Sequence, residues 1–119
     1  LTVCDRDGGA VFEMTPKTFE RRAAVNDVCL CTNHFRSDPL CVGKDCWRYE
    51  KLAPVQKAGG KLGVGDVFAA LDTVSQGKMT LQAMVFEPAA KTLHLKYGPG
   101  DATKRDEKVF DLGKLFAEK

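Results

Sequence analysis

The stretch Met79-Thr80-Leu81-Gln82-Ala83-Met84-Val85-Phe86-Glu87-Pro88-Ala89-Ala90-Lys91-Thr92-Leu93-His94-Leu95-Lys96-Tyr97 decides the fold class of this 119-residue chain. Met79 to Phe86 and Lys91 to Tyr97 read as two long strands, and Glu87-Pro88-Ala89-Ala90 as the turn between them. In the second strand Leu93, Leu95 and Tyr97 alternate with Thr92, His94 and Lys96, the period of a sheet with one dry face and one wet or partly covered face. Just upstream, Val67, Phe68, Leu71 and Val74 make one apolar stripe at helical spacing, with Asp66 in the first turn and Gly77 placed as a C-cap. A helix with one apolar stripe needs a flat partner, and the hairpin supplies it.

Working outward, Asp45 reads as the N-cap of an earlier helix carrying Tyr49, Leu52 and Val55; Pro54 is expected to kink or shorten it, and Gly59-Gly60 to stop it. Residues 36–44 lack periodicity and read as a surface loop. Before them, Val28-Cys29-Leu30-Cys31-Thr32 is apolar at nearly every position, which predicts a strand buried on both faces. At the start, Leu1 to Cys4 and Ala10 to Met14 flank a tight Asp-Gly-Gly turn, and Thr15-Pro16-Lys17 turns the chain into a third strand over 18–22. Downstream, 101–108 is polar and charged, and Val109-Phe110-Asp111-Leu112 with Leu115 and Phe116 forms an apolar tail expected to fold back onto the core. The prediction is α+β, with two helices packed on an antiparallel sheet, in a single domain or part of one.

Composition narrows the chemistry. With 44% hydrophobic and 29% charged residues the chain is globular, and no run approaches the roughly 18 apolar residues of a membrane span. A net charge of +2 gives no footprint for a phosphate backbone, so neither nucleic acid nor membrane is an expected partner. Two Ser, two His and two Asn leave little for a triad or a histidine-rich metal site. The odd set Cys4, Cys29, Cys31, Cys41 and Cys46 does not match a fully paired disulfide framework. Cys29-x-Cys31 and Cys41-x4-Cys46 with His34 between them depart from regular zinc-ligand spacing, a Cys41–Cys46 loop disulfide is sterically possible, and none of the five has a sequence-level partner base.

Asn33 leaves the expected buried strand with an amide that can donate to a developing oxyanion, although capping the strand or making an Asx turn is the commoner role of an Asn there. His34 reads as a hydrogen-bonded loop residue for want of an acidic neighbour. Arg48, near the start of the first helix, suits an anionic or carbonyl-bearing ligand, or an ordinary surface position.

Four segments taken together carry a resemblance: Asp7-Gly8-Gly9-Ala10-Val11-Phe12-Glu13-Met14-Thr15, Cys31-Thr32-Asn33-His34-Phe35-Arg36-Ser37, Cys46-Trp47-Arg48-Tyr49-Glu50-Lys51-Leu52 and Thr80-Leu81-Gln82-Ala83-Met84-Val85-Phe86-Glu87-Pro88. Their order over nearly the whole chain resembles the penicillin acyltransferase-like branch of the N-terminal-nucleophile (Ntn) hydrolases, whose fold relatives include choloylglycine hydrolases, penicillin V acylases and acid ceramidase. The resemblance implies a four-layer αββα sandwich and a self-cleaving enzyme without a cofactor. In it an N-terminal Cys thiol attacks an amide or thioester carbonyl while its own α-amino group serves as the base. It places the oxyanion donor at Asn33 and the substrate pocket at Arg48, His34 and Phe35. None of the five Cys matches the nucleophile, so the expectation is a C-terminal portion, inactive alone. Its expected partners are the N-terminal part of the same enzyme, a small acyl or amide substrate, and a second copy across open sheet edges. The expected setting is soluble, cytoplasmic rather than exported. Two other readings stand beside it: a non-catalytic binding or assembly module of the same fold, and a small zinc- or thiol-dependent module.

Overall fold

The computed structural model describes residues 1–5, 7–43 and 45–117. Arg6, in the expected first turn, and Lys44, at the end of the expected 36–44 loop, lie outside the described residues. The fold is α+β, with two antiparallel three-stranded sheets and three helices among the described residues. Two compact units divide the chain, Leu1–Lys61 and Leu62–Lys119, and each builds its own sheet. The expectation of one sheet carrying both helices is corrected accordingly.

In the first unit, β1 (Thr2–Asp5), β2 (Gly8–Met14) and β3 (Phe19–Ala23) form a meander in the order β1-β2-β3. Both turns are set by side chains that substitute for backbone acceptors: Asp5 Oδ1 takes the N–H groups of Asp7 and Gly8, and Thr15 Oγ1 those of Lys17 and Thr18. After β3 the chain reverses between Val25 and Val28 through Asn26 (φ 49°) and Asp27 (φ 63°), both left-handed, as a two-residue primed turn requires.

The strand expected over 28–32 does not form. Beyond the Val25–Val28 bridge the ladder stops, because side chains take the carbonyls that a strand would have used. Gln56 Nε2 donates to Val28 O (2.8 Å) and Arg22 Nη2 to Leu30 O (3.2 Å). Of the apolar run only Leu30 is buried, and Cys31 is exposed.

The first helix, α1 (Trp47–Ala58), starts later than expected, with Cys46 rather than Asp45 at the N-cap. It runs through Pro54 to Ala58, so Pro54 does not shorten it. Its last turn is fixed from outside: Asn26 Nδ2 donates to the Gln56 and Lys57 carbonyls, and Gly59 closes the helix at φ 63°. A Cβ on Gly59 would lie 2.6 Å from that of Asn26, so the cap and the turn at 26–27 are built against each other. No residue of α1 is fully buried, and its apolar Leu52, Ala53 and Val55 are half-buried.

The second unit follows the sequence more closely. α2 (Val64–Thr73) carries Val64, Val67 and Leu71 around buried Phe68, and Asp66 Oδ2 takes the N–H of Gly63 in its first turn. The helix ends at Thr73 with Val74 as C-cap; Gly77 (φ 61°) serves instead the short 3-10 turn Gly77–Met79. β4 (Gln82–Glu87) and β5 (Thr92–Tyr97) form the expected hairpin, and β6 (Glu107–Asp111) adds a third strand on β5. The tail does not bury itself: α3 (Leu112–Ala117) leaves Leu115 and Phe116 exposed.

Register shows which face of this sheet is covered. Val85, His94 and Val109 lie opposite one another, as do Ala83, Lys96 and Glu107, so they share one face. Phe68 of α2 packs with Ala83 and Val85 on that face, and Lys96 Nζ sits 4.6 Å from the centre of the Phe68 ring. The other face carries Met84, Phe86, Leu93, Leu95, Tyr97 and Phe110, of which Met84, Phe86 and Tyr97 are exposed. The helix therefore lies on the face that alternates as the wetter one, and on the more apolar face Leu93, Leu95 and Phe110 are half-buried.

Candidate functional site

The first unit brings Asn33 and Arg48 together, although fifteen positions separate them. Arg48 Nη2 donates to Asn33 Oδ1 in a short hydrogen bond. Because the carbonyl oxygen of the amide is taken by the guanidinium, the Asn33 Nδ2 protons are directed away from Arg48 and remain available as donors. The Asn33 side chain is thus oriented by Arg48 and not by the buried strand that the sequence suggested.

Asn33, His34 and Phe35 line one cavity of about 160 Å³ with Phe12, Glu13 and Thr32. The residues expected to bind substrate therefore meet, Arg48 through its bond to Asn33 and the other two at the cavity wall. His34 is exposed, and Phe35 is 38% exposed.

Two residues outside the predicted site hold this arrangement. Glu13, on β2, is buried, at 4% exposure. Its carboxylate accepts from Arg22 Nε (2.7 Å), from the N–H of Arg36 (2.9 and 3.0 Å), from the N–H of Ser37 (2.7 Å) and from the Ser37 hydroxyl. Burial alone would raise its pKa, but the bonds from Ser37, Arg36 and Arg22 outweigh it and hold the carboxyl at about 2. Glu13 thereby pins the chain immediately after Phe35. The Arg36 guanidinium lies over the Tyr49 ring, 4.2 Å from its centre, and links the same segment to α1. A signal for Glu13 was present in the sequence: it shares strand parity with Val11, so one inward-facing apolar residue implies the other position also faces inward.

The second is Cys46, weighed from the sequence only as a zinc ligand or disulfide partner and buried here at the N-cap of α1 with its Sγ 3.6 Å from the Thr32 hydroxyl. Burial pushes its thiol up, yet the Thr32 hydroxyl, the backbone N–H groups of Tyr49 and Arg48, and the Arg48 charge bring it below the ordinary range. At 3% exposure its thiol lies against the Thr32 hydroxyl and offers no open face to a substrate.

The remaining thiols do not converge with it. Cys41 Sγ donates to Gly43 O, Cys31 Sγ to Thr32 O, and Cys29 lies over Gly9. All five Cys are free, and among the described residues no group of three His, Cys, Asp or Glu side chains could hold a metal ion. No helix among the described residues is long and apolar enough to cross a membrane. Comparison with protein-family models, with curated proteins and with solved structures found no match.

Proposed function

We propose that the chain is the C-terminal portion of a cysteine Ntn hydrolase or acyltransferase acting on linear amide or acyl-thioester bonds. The observation that carries this reading is the Asn33 amide, held through its oxygen by Arg48 at the wall of a small cavity. An oxyanion donor needs that arrangement: a fixed N–H group, already oriented, which gains most as charge develops on the carbonyl oxygen.

In the proposed reaction a cysteine thiol outside this chain adds to the substrate carbonyl carbon, and its proton passes to the α-amino group of the same cysteine. Asn33 Nδ2 donates to the oxygen as the tetrahedral adduct forms. Collapse expels the amine or thiol, which leaves with that proton, and the acyl-thioester is then taken by water or by an acceptor amine or thiol. Arg48 acts on Asn33 and not on the substrate, while His34 and Phe35 shape the pocket.

The four-layer sandwich belongs to the same proposal. It is supported by a sheet that has α2 on one face and on the other an apolar face with Met84, Phe86 and Tyr97 exposed, as a layer requires when it stacks on a second sheet. That face equally supports the second reading, a non-catalytic assembly module. Activity separates the two. Assay of the intact protein and of residues 1–119 alone against a panel of N-acyl amides and acyl-thioesters should give turnover only for the intact protein. Turnover by the isolated chain, or none by either, would overturn the proposal.

A further inference from the structure

Cys4 and Cys29 approach the same point from two sides. Cys4 is the register partner of Gly9 across β1 and β2, so the side chain of Cys4 and the missing side chain of Gly9 belong to one face of the sheet. Cys29, on the segment after the Val25–Val28 turn, lies over that face. A Cβ built on Gly9 would sit 3.0 Å from Cys29 Sγ and 3.4 Å from Cys4 Cβ. Gly9 thus leaves open the space between the Cys29 thiol and the Cys4 Cβ. Both thiols are free, and Cys4 is exposed while Cys29 is half-buried.

We propose that Cys4 and Cys29 form a reversible disulfide that ties β1 to the segment leading into Cys31-Thr32-Asn33. The site is independent of the reaction proposed above. With a small-molecule disulfide as oxidant, the Cys4 thiolate, which solvent reaches first, attacks one sulfur of that disulfide, forming a mixed disulfide and releasing one thiol. The Cys29 thiolate then attacks the Cys4 sulfur and releases the second thiol. Two cysteines are oxidised and one external disulfide is reduced to two thiols, with the two cysteine protons passing to the released thiolates. Burial and, to a smaller degree, Cys4 push the Cys29 thiol up against the opposing charges of Arg22 and Arg21, which makes closure of the bond faster at alkaline pH. Cys31, two positions on and exposed, has its thiol turned to Thr32 O and stays outside the pair.

The test oxidises the folded 119-residue chain with oxidised glutathione, blocks the remaining thiols, and maps the digest by mass spectrometry without reduction. The expected product joins the peptide carrying Cys4 to the peptide carrying Cys29 and Cys31. Fragmentation should place the bond on Cys29; the linkage should survive Cys31→Ser and vanish in Cys29→Ser. Gly9→Ala, which fills the shared space, should lower its yield severalfold while the wild-type circular dichroism is retained. Cys4 recovered only as a free thiol or glutathione adduct, Cys4 bonded equally to Cys29 and Cys31, or an undiminished yield in folded Gly9→Ala would overturn the assignment.

Discussion

In the first unit the segment that reaches the sheet is tied to it by one buried carboxylate, whereas in the second the covering helix is held by apolar contact. Glu13 collects Arg22, Arg36 and Ser37, and no residue of α1 is buried. Phe68, Ala83 and Val85 form a small core with Val64, Val67 and Leu71. A polar clamp fixes direction as well as position, since each N–H must meet its oxygen. An apolar cluster fixes proximity and tolerates repacking. The unit in which Arg48 holds the Asn33 amide is the one built on directional bonds.

The comparison breaks most sharply at Glu13. Glu13→Ala leaves a partly buried guanidinium and two backbone N–H groups without their acceptor, at a cost of about 3–5 kcal/mol. Amide hydrogen exchange should accelerate across 30–37 while β4 and β5 keep their protection. Next is Phe68→Ala, expected to cost about 3 kcal/mol through the lost side chain and the cavity it leaves. Exchange should then accelerate in α2, β4 and β5, with residues 30–37 unchanged.

Acid and base provide a subtler test, because the units respond to opposite ends of the pH scale. Glu13, with its carboxyl lowered from 4.5 to about 2, contributes stability that is complete above about pH 5 and is lost as pH falls toward 2. In the second unit His94 bonds Glu107 (2.6 Å) and Glu87 (2.9 Å) through its two ring nitrogens, and those bonds raise its pKa above the ordinary 6.5 against the opposing effect of burial. Its contribution is complete below pH 6.5 and is lost as pH rises through the raised value. Asp72 and Asp101 give the second unit a smaller acid-side loss: Lys104 and Thr103 lower the first, Ser75 and Thr103 the second, and both are more exposed than Glu13. Residue-resolved exchange at mild acid and mild alkaline pH should therefore show the 30–37 segment opening first in acid and β5 first in base. His94→Gln should remove the alkaline step and leave the acid one.

The second unit was the more legible because its signals are apolar and periodic: the stripe of α2 and the alternation of β5 both survive in the structure. β6 was hidden because Glu107 and Lys108 read as loop, although Glu107 points at His94 and Lys108 Nζ at the Tyr97 hydroxyl. In the first unit the run Val28 to Thr32 misled, since apolar composition carries no information about where the neighbouring carbonyls find donors. Asn33 and Arg48 were legible as residue types, but their contact spans a loop and a helix start. Glu13 escaped because a single charge in a strand looks solvated until its partners at 22, 36 and 37 fold against it.

The functional reading stands most directly on the Asn33 amide, and the measurement that tests it is kcat of the intact protein with Asn33→Ala, beside Arg48→Lys. Loss of one oxyanion donor should lower kcat by about a hundred- to a thousand-fold with KM nearly unchanged. Arg48→Lys, which keeps the charge but loosens the hold on the amide oxygen, should give a smaller loss in kcat. An Asn33→Ala enzyme that turns over at the wild-type rate would contradict the account.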